Sequence, residues 1–208
     1  YGQPLSFRRL SWLKRIFKIC DWGVNSMKNI LIGLVLVFLD IDLNFGVGKM
    51  DLLPDPIGFL FVLEGFQSLQ KKNLIFKNLV EHGTLMAIYS SFLYVFNLFG
   101  FYLGGNGIVG LICNFLCAIH LFYVLYQMIL GVKDLETKNG ADFNSEKLTA
   151  YWKAYLITYV VTSIALFAFP SIAFVVGIEN AVFGIAFLVS FSKTKNAYLS
   201  AISVEPVK

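Results

Sequence analysis

The chain has 208 residues, of which 57% are hydrophobic and only 14% charged, and its mean hydropathy is +0.70. A soluble domain is about a quarter charged, so this composition excludes an ordinary water-soluble globule and a disordered chain, and it points to an all-α, polytopic bundle in lipid. The formal net charge of +4 reflects cations gathered in a few places and gives no sign of a nucleic-acid partner.

In chain order, the N-terminal stretch SFRRLSWLKRIFKICDW sets Leu10, Leu13, Ile16, Phe17 and Cys20 at helical spacing, with Arg9, Lys14, Arg15 and Lys18 off that stripe. This predicts an amphipathic segment, residues 1–27, lying on anionic inner-leaflet lipids. A twin-arginine export signal is the sharper reading of RRLSWLK, but no small-residue cleavage site follows it. Met27 directly precedes the first apolar run, so the residues before it read equally as an upstream extension or an expression remnant.

A bilayer core roughly 30 Å thick takes about 20 apolar residues. Six stretches qualify, at about 28–46, 56–70, 84–103, 107–131, 151–169 and 171–192, within a transmembrane domain spanning 28–192, and residues 193–208 read as a cytoplasmic tail. No polar loop separates the fifth and sixth, so their boundary rests on Phe169, Pro170 and Ser171. Of the 17 Lys and Arg residues, all but Lys49 fall before the first span or at its start (Lys28), in the second and fourth connections or just inside the fifth span (Lys153), or after the sixth. The positive-inside rule then places both termini in the cytoplasm of a multi-pass cell-membrane protein.

The first connection carries the densest chemistry. DIDLNFGVGKMDLLPDP sets Asp40, Asp42, Asp51 and Asp55 among apolar residues. Asp55 followed by Pro56 matches a helix N-cap with proline at the first helical position, and Asp51 with Pro54 three residues later suggests a capped single turn. Gly46 and Gly48 supply flexibility to the same outer turn. These four residues, Asp51, Pro54, Asp55 and Pro56, are therefore read as a structural turn.

Asp40 and Asp42 demand another account if the first span continues to residue 46. At 1.5 Å per residue Asp40 lies roughly 17 Å in, and the same count sets Glu64, Asn97, Asn114, Thr162, Glu179 and Asn180 in one outer layer. Carboxylates at that depth are costly unless paired, hydrated or protonated. Asp40, Asp42, Glu64, Asn97, Asn114 and Glu179 are accordingly the expected lining of an acidic pocket, with Asp40 inward and Asp42 toward the outer mouth. No cofactor is evident. The oxygen donors suit a bound proton, a hard cation or a cationic solute. The bland alternative is that the asparagines and Thr162 are interhelical hydrogen-bond glue.

In the fourth span Cys113, Cys117 and His120 share one helix face. A thiolate with its base is the sharper reading, and small buried residues packing between helices the simpler one. His82 reads as a solvated residue at the membrane edge. The three cysteines do not form a disulfide framework. Phosphate-loop, HExxH, GxSxG and CxxC signatures are missing, and a seven-residue echo between 33–39 and 110–116 is too short to mark an inverted repeat.

The run MDLLPDPIGFLFVLEGFQSL resembles the signature of small, uncharacterised multi-spanning membrane proteins of Gram-positive bacteria, through Asp51, Pro54, Asp55, Ile57 and Gly58; Pro56 and Glu64 stand outside that pattern. The resemblance covers about residues 30 to 70. It implies a bacterial plasma membrane and no particular activity. Three functions stay open: a transport or binding protein for a cation, proton or cationic solute; a non-catalytic subunit or scaffold with a membrane-protein partner; and an intramembrane enzyme built on Cys117 and His120.

Overall fold

The computed structural model describes residues 26–38, 42–44, 49–51, 55–99, 108–168 and 170–203. They form six helices: α1 (Ser26–Phe38), α2 (Asp55–Leu69), α3 (Leu74–Leu98), α4 (Ile108–Asn139), α5 (Ser145–Ala168) and α6 (Pro170–Ser203). A two-stranded antiparallel ladder, β1 (Asp42–Asn44) with β2 (Lys49–Asp51), joins α1 to α2, with Asp42 opposite Asp51 and Asn44 opposite Lys49. The expected N-terminal amphipathic segment lies outside the described residues.

Each helix packs on its chain neighbour, and α6 returns against α1, so the bundle closes on itself. The α1–α2 contact is close, with glycines at the crossing. Gly33 faces the Gly58 carbonyl and Val62, Gly58 lies under Val37 and the Gly33 carbonyl, and Gly65 accepts Ile30 and the Ser26 carbonyl. A methyl group at any of the three would meet backbone of the partner helix within 3 Å. Gly58 and Gly65 are seven apart, two helical turns, so both fall on the face turned to α1.

One core runs through all six helices, built from Met27, Ile30, Phe66, Phe76, Met128, Phe187 and Phe191 among others. It fills the end of the bundle where α2 passes into α3 and α4 into α5. There Asn73 accepts a hydrogen bond from the Ile75 N–H at 2.7 Å, capping α3, and donates through Nδ2 to the Gly131 carbonyl of α4 at 3.1 Å. Lys72 Nζ donates to Tyr198 Oη at 3.2 Å, and the Tyr198 ring lies edge-on to Phe143. Glu136 holds the α4–α5 connection together. Its Oε1 accepts from the N–H groups of Phe143 at 2.7 Å and Ser145 at 2.8 Å, and its Oε2 accepts from the Ser145 hydroxyl. Gly140 and Asn144 turn this connection with positive φ (60° and 69°), a conformation glycine and asparagine tolerate.

One sequence reading changes. The first span does not continue through Asp42: α1 stops at Phe38, and Asp42 and Asp51 lie in paired strands. The pairing satisfies backbone groups that would otherwise need a longer helix; the turn expected between Asp51 and Pro54 lies outside the described residues. Within the stretch expected as a tail, residues 193–203 continue α6, with Thr194 and Tyr198 buried. The boundary at Pro170 falls where expected, since proline ends the α5 hydrogen-bond ladder and fits the first turn of α6.

Three helices are long and apolar enough to cross a membrane, over Leu74–Phe96, Phe115–Asn139 and Val175–Ala201. Around the bundle large apolar side chains stand exposed: Leu85, Ile88 and Phe92 on α3, Leu116 and Ile119 on α4, Ile157 and Ile164 on α5, Ile178 and Ile185 on α6. So extensive an apolar surface is that of a protein in lipid. At 13 and 15 residues, α1 and α2 reach only about 20 Å and 22 Å.

Candidate functional site

The packed core stops partway along the bundle. Beyond it, toward the end that carries Asp55, small side chains at Ser90, Cys117 and Ala118 leave room that larger ones would fill. A cavity of about 300 Å³ results, walled by all of the first five helices. Its floor is Leu121, Phe122 and Tyr155, just above the buried Val124 and Leu125.

Asp55 enters this cavity from the first turn of α2. Pro56 needs no hydrogen bond in that turn, and the positive end of the helix dipole favours a carboxylate there. The turn reading of Asp55 and Pro56 and a place in the cavity wall are thus compatible. Asp55 is the one charged side chain among the described residues that line it.

Four tyrosines complete the polar lining: Tyr89 and Tyr94 from α3, Tyr155 and Tyr159 from α5. Tyr155 and Tyr159 are one turn apart, so both look inward. Phe122 supports them at ring-centroid distances of 5.0 and 5.2 Å, and Phe38 reaches Tyr155 at 5.4 Å. Ser90 turns its hydroxyl to its own helix, donating to the Ala87 carbonyl at 3.2 Å. Chemically, the cavity offers one carboxylate and several aromatic faces, a combination that attracts a positive charge by Coulomb and cation–π terms together.

Of the residues expected to line an acidic pocket, only Glu64 and Glu179 have side chains among those described. Asp40 and Pro54 lie outside the described residues, as do the side chains of Asp42, Asp51, Asn97 and Asn114. Glu64 is half-buried on the outward stripe of α2 with Ile57 and Leu60, and Glu179 is exposed on α6 beside Ile178; neither lines the cavity. The interhelical role holds for two of the polar residues: Thr162 Oγ1 lies 3.2 Å from the Val176 carbonyl, and Asn180 Oδ1 lies 3.1 Å from the Thr158 hydroxyl, tying α5 to α6. The described residues contain no group of three His, Cys, Asp or Glu positioned as a metal cage.

A second opening of about 490 Å³ lies on the outer surface between α3 and α4, lined by Leu85, Leu116, Ile119, His120 and Tyr123, together with Met86, Tyr89 and Cys117. His82 is not simply solvated: its ring packs 5.2 Å from His120 and 5.1 Å from Tyr123. His120 Nε2 is buried without a hydrogen-bond partner among the described residues. Cys117 is a free thiol.

The tyrosines of the cavity went unnoticed in the sequence. Their signal was position: Tyr89, Tyr155 and Tyr159 sit inside apolar runs, whereas membrane tyrosines favour the two interfacial belts. No family model, no curated protein and no solved structure matches this chain.

Proposed function

We propose that this chain is an integral membrane binding or transport protein of six membrane-embedded helices whose ligand is a small organic cation, held in the Asp55 cavity. The observation that carries the reading is a single carboxylate set among four tyrosines in a cavity beyond the packed core. The orientation follows from charge. The connections 70–73 and 140–144 and the last turns of α6 meet at the packed end, which gathers Lys71, Lys72, Lys138 and Lys195, whereas Lys49 lies on the hairpin at the other end. The positive-inside rule makes the packed end cytoplasmic and turns the cavity toward the outside of a plasma membrane. The short α1 and α2 then reach across the bilayer only with the β-ladder completing their length.

The test is thermal melting of the purified protein in lipid nanodiscs with added tetramethylammonium, against sodium as control. A ligand that binds only the folded state raises stability as its concentration passes Kd, so a tetramethylammonium-specific rise is expected. Asp55→Asn keeps an N-capping side chain and removes the charge, so it should leave the ligand-free melt nearly unchanged and abolish most of that rise. A parent protein indifferent to tetramethylammonium, choline and guanidinium alike would defeat the reading.

A second reading, a subunit of a larger membrane assembly, has one observation in its favour. Glu64 and Glu179 both stand on outer faces, about 14 Å along their helices from the hairpin end. A carboxylate facing acyl chains is expensive, and a neighbouring protein would cover it. Native-gel migration of the membrane-extracted protein as a larger species, returning to monomer size in a Glu64→Leu, Glu179→Leu double variant, supports that reading.

A further inference from the structure

The two openings are neighbours. Met86, Tyr89 and Cys117 line both the Asp55 cavity and the groove between α3 and α4. These three side chains are therefore a partition with the tyrosine-lined cavity on one face and the outer groove on the other. The groove itself is apolar, and Leu85, Leu116 and Ile119 on its rim are more than half exposed, in the same belt that faces lipid on the other helices. Of the three partition residues Met86 is the most adaptable, an unbranched thioether with three rotatable bonds, and Cys117 is small. A ligand lying through this partition would have its charged head beside Asp55 and an apolar portion among Leu85, Leu116 and Ile119, already at the depth of the acyl chains.

Resting on the cation reading of the Asp55 cavity, we propose that its ligand is a cationic amphiphile, an ammonium head carrying a single alkyl chain, and that it enters sideways from the bilayer between α3 and α4. A purely water-soluble cation would have no use for a groove that shares a wall with its binding site and opens on lipid. A neutral lipid would have no use for the carboxylate. The joined shape, polar within and apolar at the rim, fits a molecule that has both parts.

The experiment compares tetramethylammonium with octyltrimethylammonium on the full chain in nanodiscs, reading affinity from the ligand-dependent melt. Each methylene buried in the groove should tighten binding by about fourfold, so four or more buried methylenes should give a gain of over 100-fold. Chain partitioning into the bilayer also raises apparent affinity, and groove-filling variants separate the two effects. Leu116→Trp and, independently, Ile119→Trp place bulk in the groove without touching the Asp55 cavity. Both should keep tetramethylammonium binding and lose most of the octyl gain. If the gain survives in both variants, it comes from the bilayer and the proposal is overturned. It is overturned equally if the parent binds tetramethylammonium but gains nothing from the chain, and in that case the cation reading stands. If the parent binds neither compound, the cation reading fails and the amphiphile with it.

Discussion

Replacing Gly33 by alanine would set a methyl group against the backbone of α2. The new Cβ would meet the Gly58 carbonyl oxygen, lie 2.6 Å from Val62 Cγ2 and lie 2.7 Å from the Val62 nitrogen. An ordinary contact begins near 3.4 Å, so the helices must part by at least about 0.7 Å at this crossing to clear the Val62 nitrogen, and by more to clear the Gly58 carbonyl. Backbone atoms cannot swing aside as a side-chain end can, which puts the change at the upper end of the overpacking range, about 3 kcal/mol. Alanine recovers roughly 1 kcal/mol through helix propensity, leaving a net loss of about 2 kcal/mol. For a chain of this size that corresponds to a fall in melting temperature of roughly 4–8 °C. Gly177→Ala is the matched control, because nothing lies within 4 Å of a Cβ there, and only the propensity gain applies. Both variants are to be melted in the same detergent as the parent, and a Gly33→Ala protein that melts no lower than Gly177→Ala would refute the close-contact argument.

Glu136→Ala removes an acceptor for two N–H groups and a hydroxyl and should cost about 2–3 kcal/mol, with protease cutting appearing at 140–144 before global melting. Asn73→Ala strips the α3 cap and the link to Gly131 and should lower stability by about 2 kcal/mol, read from the same melts. In a background lacking Cys20, Cys113 and Cys117, a single cysteine at 49 should react with an impermeant thiol reagent on intact cells, and one at 72 or 138 only after permeabilisation; the opposite pattern would invert the orientation.

The helical class and the grouping of cations were plain in the sequence because hydropathy and charge act along the chain, one residue at a time. The start of α2 at Asp55-Pro56 and the break before Pro170 were legible for a local reason too, since proline leaves the backbone few choices. The β-ladder was not. Its strands are three residues each, too short for alternation to separate them from the end of an apolar helix. The side on which Glu64 stands was not legible either, for a different reason. Counting residues gives Glu64 a depth but no azimuth, and its side of α2 is decided by Gly58 and Gly65, which turn another face to α1. The tyrosines of the cavity share their spacing with core aromatics such as Phe187 and Phe191, and only the small residues opposite them, Ser90, Cys117 and Ala118, make the space they line.

The return of α6 against α1 bears on how the protein is made. The other extensive helix contacts join consecutive helices, and each can form as soon as the second member of the pair leaves the ribosome. The α1–α6 contact cannot. Until α6 is synthesised, the inner sides of Met27, Ile30 and Phe66 have no Phe187 or Phe191 to close over them, and the growing chain must wait in the membrane with an open seam along α1. Shortening the chain anywhere before residue 187 therefore leaves a protein that is inserted but unfinished, and such intermediates are the natural substrates of membrane chaperones and quality-control proteases.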